Sequence, residues 1–235
     1  MSDFEQAFAL ALRLLFSFDP ALIEIVALSL KVSLSALFLA GLIGLPFGAA
    51  VAVTRFPGRG GVIILLNAMM GLPPVVIGLL VYMLLSRAGP LGVLGLLYTP
   101  AAMIIAQTIL IAPIIAALTW QVVESLEGEY SELFRSMRVP FHRRVPTLLF
   151  DARFSLMTVM LAGFGRAVAE VGAVMIVGGN IDHLTRVMTT AIALETAKGD
   201  LAQALALGFV LVLIAITVNG AVIVIRQAAR RRAYA

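Results

Sequence analysis

The chain has no cysteine and little charge. Asp, Glu, Lys and Arg make up 13% of its 235 residues, against about 25% in a typical soluble domain. The absence of cysteine excludes disulfides, thiolate metal sites and cysteine nucleophiles. Hydrophobic residues account for 61% of the chain, and its mean hydropathy is +1.06. This composition predicts an integral membrane protein, because too few charged residues are present to cover a soluble domain.

Motifs for common catalytic chemistry are also missing. The only lysines are Lys31 and Lys198, and neither follows the glycine-rich turn with which a P-loop holds phosphates. The two histidines, His142 and His183, are predicted to lie on opposite sides of the membrane, so they cannot share a metal ion within one chain. We therefore predict that the protein is not an enzyme, that it holds no metal, and that it cannot hydrolyse ATP through a P-loop.

Five stretches are long and apolar enough to cross a bilayer, which takes about 20 helical residues. Residues 1–19 are shorter and more polar, with apolar positions at helical spacing, and are predicted to form a helix in the membrane interface. The predicted fold is an all-α integral membrane protein, with a transmembrane domain over residues 20–228 and a basic tail over 229–235. The five predicted spans are Ala21–Thr54, Val62–Ser86, Pro100–Val123, Phe154–Val177 and Leu201–Ile225.

Basic residues are concentrated at one side of the predicted membrane. Eleven of the 17 Lys and Arg residues follow the first, third and fifth spans, and therefore lie on the same side of the predicted membrane. Loops rich in Lys and Arg stay in the cytoplasm. We therefore expect the N-terminus outside, the C-terminus in the cytoplasm, and a location in the cytoplasmic (inner) membrane.

Two features inside the predicted spans are candidates for a transport pathway. Pro73 and Pro74 remove amide donors from the second span, either as a kink that aids packing or as a broken helix beside a wet path. Arg166 and Glu170 lie four residues apart in the fourth span, on one predicted helix face, where they can neutralise each other. Charge within the bilayer costs at least about 2.5–3.5 kcal/mol per residue. The two side chains are thus expected to form a buried pair, to line the pathway, or both.

The outer loop after the fourth span is a weaker candidate. Asn180, Thr185 and Arg186 combine hydrogen-bond donors with a positive charge near the predicted outer mouth. The alternative is that Thr185 or Asp182 only caps a helix over residues 184–196.

The segment over residues 124–153 reads as an amphipathic helix, a turn and a second helix. One predicted face has Leu126, Tyr130, Leu133 and Phe134, and the other has Glu127, Glu129, Glu132 and Arg135. The turn over residues 139–141 places apolar side chains among arginines, which favours a docking site for a partner over a solvated basic loop.

In their order along the chain, these motifs resemble the membrane permease subunits of ABC importers for molybdate, tungstate and sulfate. Residues 72–78 are similar to the LPPVV-x-G stretch of that family. Residues 165–173 and 178–181 resemble its R-A-x-x-E-x-G-A and GN-I blocks, and residues 185–196 are closer to the tungstate permeases. The likeness covers nearly the whole chain from the first span onward.

The cytoplasmic signature of that family departs from its usual form here. Its E-A-A, Gly and I-x-L-P positions are taken by Glu132-Leu133-Phe134, by Arg138, and by Leu148 with Phe150-Asp151. The spacing is kept, but the alanine pair, the glycine and the closing Leu-Pro are absent. The resemblance implies an ATPase-coupling loop that consists of Glu132, Leu133, Phe134, Arg138, Val139, Pro140 and Phe141.

The resemblance also implies a division of labour. Two copies of an ABC ATPase subunit would use ATP and Mg²⁺, an extracytoplasmic oxyanion-binding protein would deliver cargo, and this chain would form a homodimer around the pathway. No cofactor is expected on this chain, and its remaining partner is membrane lipid, not nucleic acid. Tungstate is the expected cargo, with molybdate or sulfate as alternatives. Two alternative functions come from other classes of membrane protein. One is a secondary transporter or channel, and the other is a membrane scaffold.

Overall fold

The computed structural model describes residues 20–233, together with Glu5, Phe8, Ala9 and Arg13. These four residues are helical, and the remainder of the predicted interfacial helix over 1–19 lies outside the described residues. Every regular element of the described residues is a helix, which confirms the predicted all-α fold.

Residues 20–233 form nine α-helices and one short 3₁₀ turn at Gly92–Leu94. The α-helices are α1 (Pro20–Val53), α2 (Arg59–Met69), α3 (Pro74–Leu85), α4 (Pro100–Ser136), α5 (Phe141–Asp151), α6 (Arg153–Val168), α7 (Gly172–Gly178), α8 (Met188–Lys198) and α9 (Leu201–Ala233).

Three of these helices, α1, α4 and α9, are each long and apolar enough to cross a membrane. Two bent pairs, α2 with α3 and α5 with α6, raise the number of candidate spans to five if each pair counts as one. The predicted bounds of the first span differ from α1 by one residue at each end. The predicted starts of the third and fifth spans coincide with those of α4 and α9.

The helices differ from three of the predicted spans, each for a local reason. The second predicted span is not one helix, since residues 70–73 separate α2 from α3. The helix of the third span continues beyond Val123 without a break, through the amphipathic residues to Ser136. The fourth span ends at Val168, and a turn with Glu170 separates it from the short helix α7.

Contacts divide the chain into two compact units, each built from three separate segments. The first unit contains Met1–Ala36, Pro73–Gln107 and Ala167–Ala221, and the second contains Leu37–Leu72, Thr108–Arg166 and Val222–Ala235.

The first unit depends on a close contact between α3 and α7. A Cβ atom at Gly78 would lie 2.7 Å from Ala173 Cα, and one at Gly172 would lie 2.9 Å from Val75 Cγ2. The absence of side chains at these glycines lets the two helices approach closely. The same unit buries an apolar cluster formed by Leu22, Met188, Ala191, Leu207 and Val210.

The second unit packs the later part of α1 against the later part of α4. A Cβ atom at Gly44 would lie 2.9 Å from the carbonyl oxygen of Ala112. A Cβ atom at Gly48 would overlap the carbonyl oxygen of Ala116. On the other side of α1, Phe38, Leu42 and Ile43 are exposed. Large apolar side chains on the outside suit contact with lipid.

Candidate functional site

The predicted coupling loop begins with a left-handed turn at the end of α4. Arg138 has φ = +50°, a conformation that favours glycine. The amide of Val139 donates to the carbonyl of Phe134 at 3.0 Å, and that of Arg138 donates to Arg135 at 3.1 Å. These two bonds are those of a Schellman helix end. Arg138 therefore stands at the position that the resemblance assigned to a glycine, and its backbone is left-handed.

A buried apolar cluster supports this turn. Its members, which we call the coupling cluster, are Ala49, Ala52, Val123, Phe134 and Leu148. Half-buried side chains pack around them, among them Trp120, Leu126, Tyr130 and Val139. Burial of Phe134 and Leu148 joins α4 to α5, so the turn between these helices is held in place by hydrophobic packing.

Arg144 adds polar contacts to the same turn. Its Nε donates to the carbonyl of Val139 at 2.7 Å, and its Nη1 lies 3.3 Å from Glu127 Oε1. Its guanidinium also lies over the ring of Phe134, 5.5 Å from the centroid. From the sequence, Arg144 was only one of the arginines around the turn. No local pattern predicts its contact with Glu127, because the two residues are 17 positions apart.

Two face assignments of the amphipathic helix are wrong. Leu133 is 51% exposed although it was predicted to share the apolar face, and Glu127 lies on the packed side, where it pairs with Arg144. Phe134, Leu126 and Tyr130 do pack inward, as predicted. The helix buries a narrower stripe than the sequence pattern indicated.

The exposed apolar residues gather around the turn. Leu133, Met137 and Phe141 are 51%, 67% and 46% exposed, and we call these three residues the docking surface. Glu132, Arg138 and Pro140 are exposed beside them, whereas Val139 is half-buried. The seven predicted loop residues thus comprise a supporting part, Phe134 and Val139, and an exposed part that is open to a partner.

Pro73 and Pro74 begin α3 and do not interrupt a helix. Pro73 is the N-cap with extended backbone angles, and Pro74 is at the first helical position. Proline is favoured there, since that amide has no partner within the helix. The second span is interrupted here, but the prolines start its second half and leave no broken bonds inside it. That the break lies beside a wet path stays a prediction.

Arg166 and Glu170 do not lie on one continuous helix face. Arg166 is half-buried in the last turn of α6, where a cation suits the negative end of the helix dipole. Glu170 is 3% exposed and lies beyond that helix. Its Oε1 accepts the Ala173 amide at 3.0 Å, and its carbonyl accepts the Thr189 hydroxyl at 2.8 Å. That these two charges pair with each other stays a prediction.

The outer-loop residues have different surroundings. Thr185 is buried, and its hydroxyl donates to the Gly178 carbonyl at 2.6 Å and accepts the Ile181 amide at 2.9 Å. It therefore closes the loop onto the end of α7 and is not the predicted N-cap, because α8 starts only at Met188. The Nη1 of Arg186 donates a hydrogen bond to Oδ1 of Asp182 at 2.7 Å.

Two residues of the same loop have a left-handed backbone conformation. These are Asn180, with φ of +50°, and His183, with φ of +56°. His183 Nδ1 lies 2.8 Å from Glu24 Oε2. This hydrogen bond is the main reason that the pKa of His183 is raised above 6.5, and the charges of Glu24 and Asp182 raise it further. The charge of Arg186 lowers this pKa by a smaller amount. The sequence pointed to Asn180, Thr185 and Arg186 but missed the His183–Glu24 contact, which joins residues 159 positions apart.

The chain is similar to curated permeases over most of its length. It is 37% identical over 222 residues to the tungstate uptake system permease protein of Peptoclostridium acidaminophilum, covering 94% of this chain and 97% of that protein. It is 40% identical over 212 residues to the protein of that name in Campylobacter jejuni, covering 90% and 89%. A probable anion ABC transporter permease of Haloferax volcanii is 39% identical over 203 residues, covering 84% and 88%. No protein-family model matches the chain.

Proposed function

Since the chain belongs to the family of ABC transporter permeases that includes the tungstate uptake permeases, we propose that it forms the membrane pathway of an ATP-driven importer whose cargo is tungstate. The observation that carries this proposal is the similarity to two tungstate permeases along nearly their whole length. The apolar helices agree with a multi-pass membrane protein. We place it in the cytoplasmic membrane, with the N-terminus outside, because the Lys and Arg residues follow alternate spans.

The energy source would be a separate ATPase subunit, which binds the docking surface. Leu133, Met137 and Phe141 expose apolar side chains beside Arg138, at the cytoplasmic side of the proposed orientation. Exposed apolar groups with a polar rim are typical of protein interfaces. Two such chains, each with an ATPase subunit, would surround one pathway, and an extracytoplasmic binding protein would supply the oxyanion. Movement of the docked ATPases would then switch the pathway between its two sides.

Replacement of Phe141 by Asp tests the docking surface. We expect the variant to insert and remain folded, because Phe141 is exposed, and to lose co-purification with the ATPase subunit. Thr147→Asp is the matched control, since Thr147 is an exposed residue of α5 whose hydroxyl binds its own helix. Equal co-purification of the wild type and Phe141→Asp would contradict the proposed docking surface.

The cargo itself requires a transport measurement. We expect proteoliposomes with the complete importer to take up tungstate only with ATP, and tungstate to compete better than molybdate or sulfate. Molybdate is the second candidate, since a molybdenum permease of Azotobacter vinelandii is 25% identical over 170 residues. Uptake that persists without the ATPase would instead indicate a secondary transporter or channel.

A further inference from the structure

A groove in the second unit lies between α4 and α6 and has a volume of about 390 Å³. We propose that this groove is a transient binding site for the transported tetrahedral oxyanion. Hydrogen-bonding side chains enter its lining from both helices, namely Gln121 from α4 and Ser155 and Thr158 from α6. This inference rests on the proposed function. It assigns the binding of the cargo to Gln121, Ser155 and Thr158, which lie outside the motifs described above.

The chemistry of the lining suits weak binding of a dianion. The amide of Gln121 and the hydroxyls of Ser155 and Thr158 can each donate a hydrogen bond to an oxyanion oxygen. The other lining residues, Leu118, Val122, Phe154, Val159 and Ala162, are apolar, so no carboxylate of the lining repels the cargo. A site on a pathway must also release its cargo, and neutral donors bind less tightly than a charged pair.

One positive charge stands at the edge of the groove. The guanidinium of Arg153 lies 4.7 Å from the ring centroid of Phe154, a lining residue, and 4.4 Å from that of Phe150. Its Nη1 donates to the Phe150 carbonyl at 2.8 Å. The carboxylate of Asp151, two residues before Arg153, accepts the hydroxyl of Tyr130 at 2.7 Å. Arg153 therefore places a cation beside the groove that can attract an anion without a charge in the lining itself.

Size separates this groove from a polar cavity in the first unit. That cavity, beside Glu170, is lined by Ser33, Gln107 and Thr189 and has a volume of about 20 Å³. It holds about one water molecule, and a five-atom oxyanion does not fit. The groove between α4 and α6 has both the volume and the donors that the oxyanion requires.

The exposure of the three donors supports a wet surface here. Gln121, Ser155 and Thr158 are exposed, whereas exposed positions on α1 and α9 include Phe38, Leu42 and Ile216. Polar side chains in a membrane protein usually face a cavity or another helix and avoid lipid.

Cysteine accessibility in the assembled importer tests this site directly, because the chain has no cysteine of its own. We expect Ser155→Cys and Thr158→Cys to react with an anionic, water-soluble methanethiosulfonate reagent, and tungstate to slow that reaction. Ile216→Cys, on an exposed apolar face, is the control and should react only with a lipid-soluble maleimide. Labelling of residues 155 and 158 only by the lipid-soluble reagent, or a disulfide between two copies that blocks labelling, would overturn the site.

Uptake kinetics distinguish the failure of this inference from the failure of the proposed function. Thr158→Val should raise the KM for tungstate by about 2- to 10-fold, the effect of one neutral hydrogen bond. The control is Thr217→Val, since Thr217 is an exposed threonine of α9 that does not line the groove. Wild-type uptake with an unchanged KM in Thr158→Val would overturn the groove. No wild-type tungstate uptake by the complete importer would instead refute the proposed function.

Discussion

At the scale of single residues, Arg138 has a backbone conformation that an arginine rarely adopts. The left-handed region costs a residue with a Cβ atom about 1 kcal/mol or more. Here the cost is offset by the two hydrogen bonds of the helix end and by the packing of Val139 against the coupling cluster. The missing glycine of the family signature therefore leaves the geometry of the turn intact.

Substitution of Arg138 tests this explanation. We expect Arg138→Gly to leave the free energy of unfolding unchanged or to raise it by up to about 1 kcal/mol. Arg138→Val should lower it, because a β-branched residue fits the left-handed region poorly. Thermal unfolding of the purified protein in detergent measures both variants. An equal loss of stability in the two variants would show that the arginine side chain matters more than the backbone conformation.

His183 makes the outer loop sensitive to pH. Its pKa is raised in the folded protein, chiefly by the hydrogen bond with Glu24. The stabilisation is therefore fully present below the ordinary histidine pKa of about 6.5 and is lost as the pH rises through the raised value. We expect wild type to unfold at a higher temperature than His183→Ala near pH 5.5, and the difference to vanish at alkaline pH. A pH-independent difference for His183→Ala would contradict the assignment.

At the scale of elements, the contact between α3 and α7 explains Gly78. Gly71 and Gly78 stand on either side of Pro73 and Pro74, and of these two glycines only Gly78 lies close against another helix. Around Gly71 the only nearby atom is the carbonyl oxygen of Ala68, 3.6 Å from a Cβ position. Gly71 directly precedes the motif over residues 72–78 and Gly78 ends it, and only Gly78 is part of α3.

Alanine substitutions compare these two glycines. Gly78→Ala should destabilise the protein by about 1–3 kcal/mol, because the new methyl group would lie 2.7 Å from backbone of α7. Gly71→Ala is the matched control and should change stability by less than about 0.5 kcal/mol. Chemical or thermal unfolding in detergent provides the comparison. Similar effects of both substitutions would mean that α3 and α7 do not pack through Gly78.

Helix starts were easier to predict than helix ends. Pro100 and Leu201 mark true starts, because proline and the preceding Asp200, whose Oδ1 accepts the Gln203 amide, are N-terminal signals. The ends are set by tertiary contacts that leave no local signal. Apolar periodicity continues past Val168, yet the helix stops before Glu170, whose carboxylate binds the start of α7.

At the scale of the whole molecule, composition predicted a membrane protein, since 61% of the residues are hydrophobic, and the lengths of the apolar stretches predicted the all-α fold. The division into two units was not predictable. Each unit collects three distant segments, and α1, α4, α6 and α9 each contribute to both units. Contacts such as Arg144 with Glu127, and the groove beside Thr158, follow from this arrangement and from no local pattern.

The coupling cluster also gives the protein a spectroscopic property. Trp120 is the only tryptophan of the chain, and it packs against the coupling cluster that contains Phe134. Intrinsic tryptophan emission from this chain therefore arises at a single position, next to the helix end that presents the docking surface. An unlabelled importer whose partner subunits lack tryptophan would report rearrangement of that cluster through the colour and intensity of its own fluorescence, during each cycle of ATP hydrolysis.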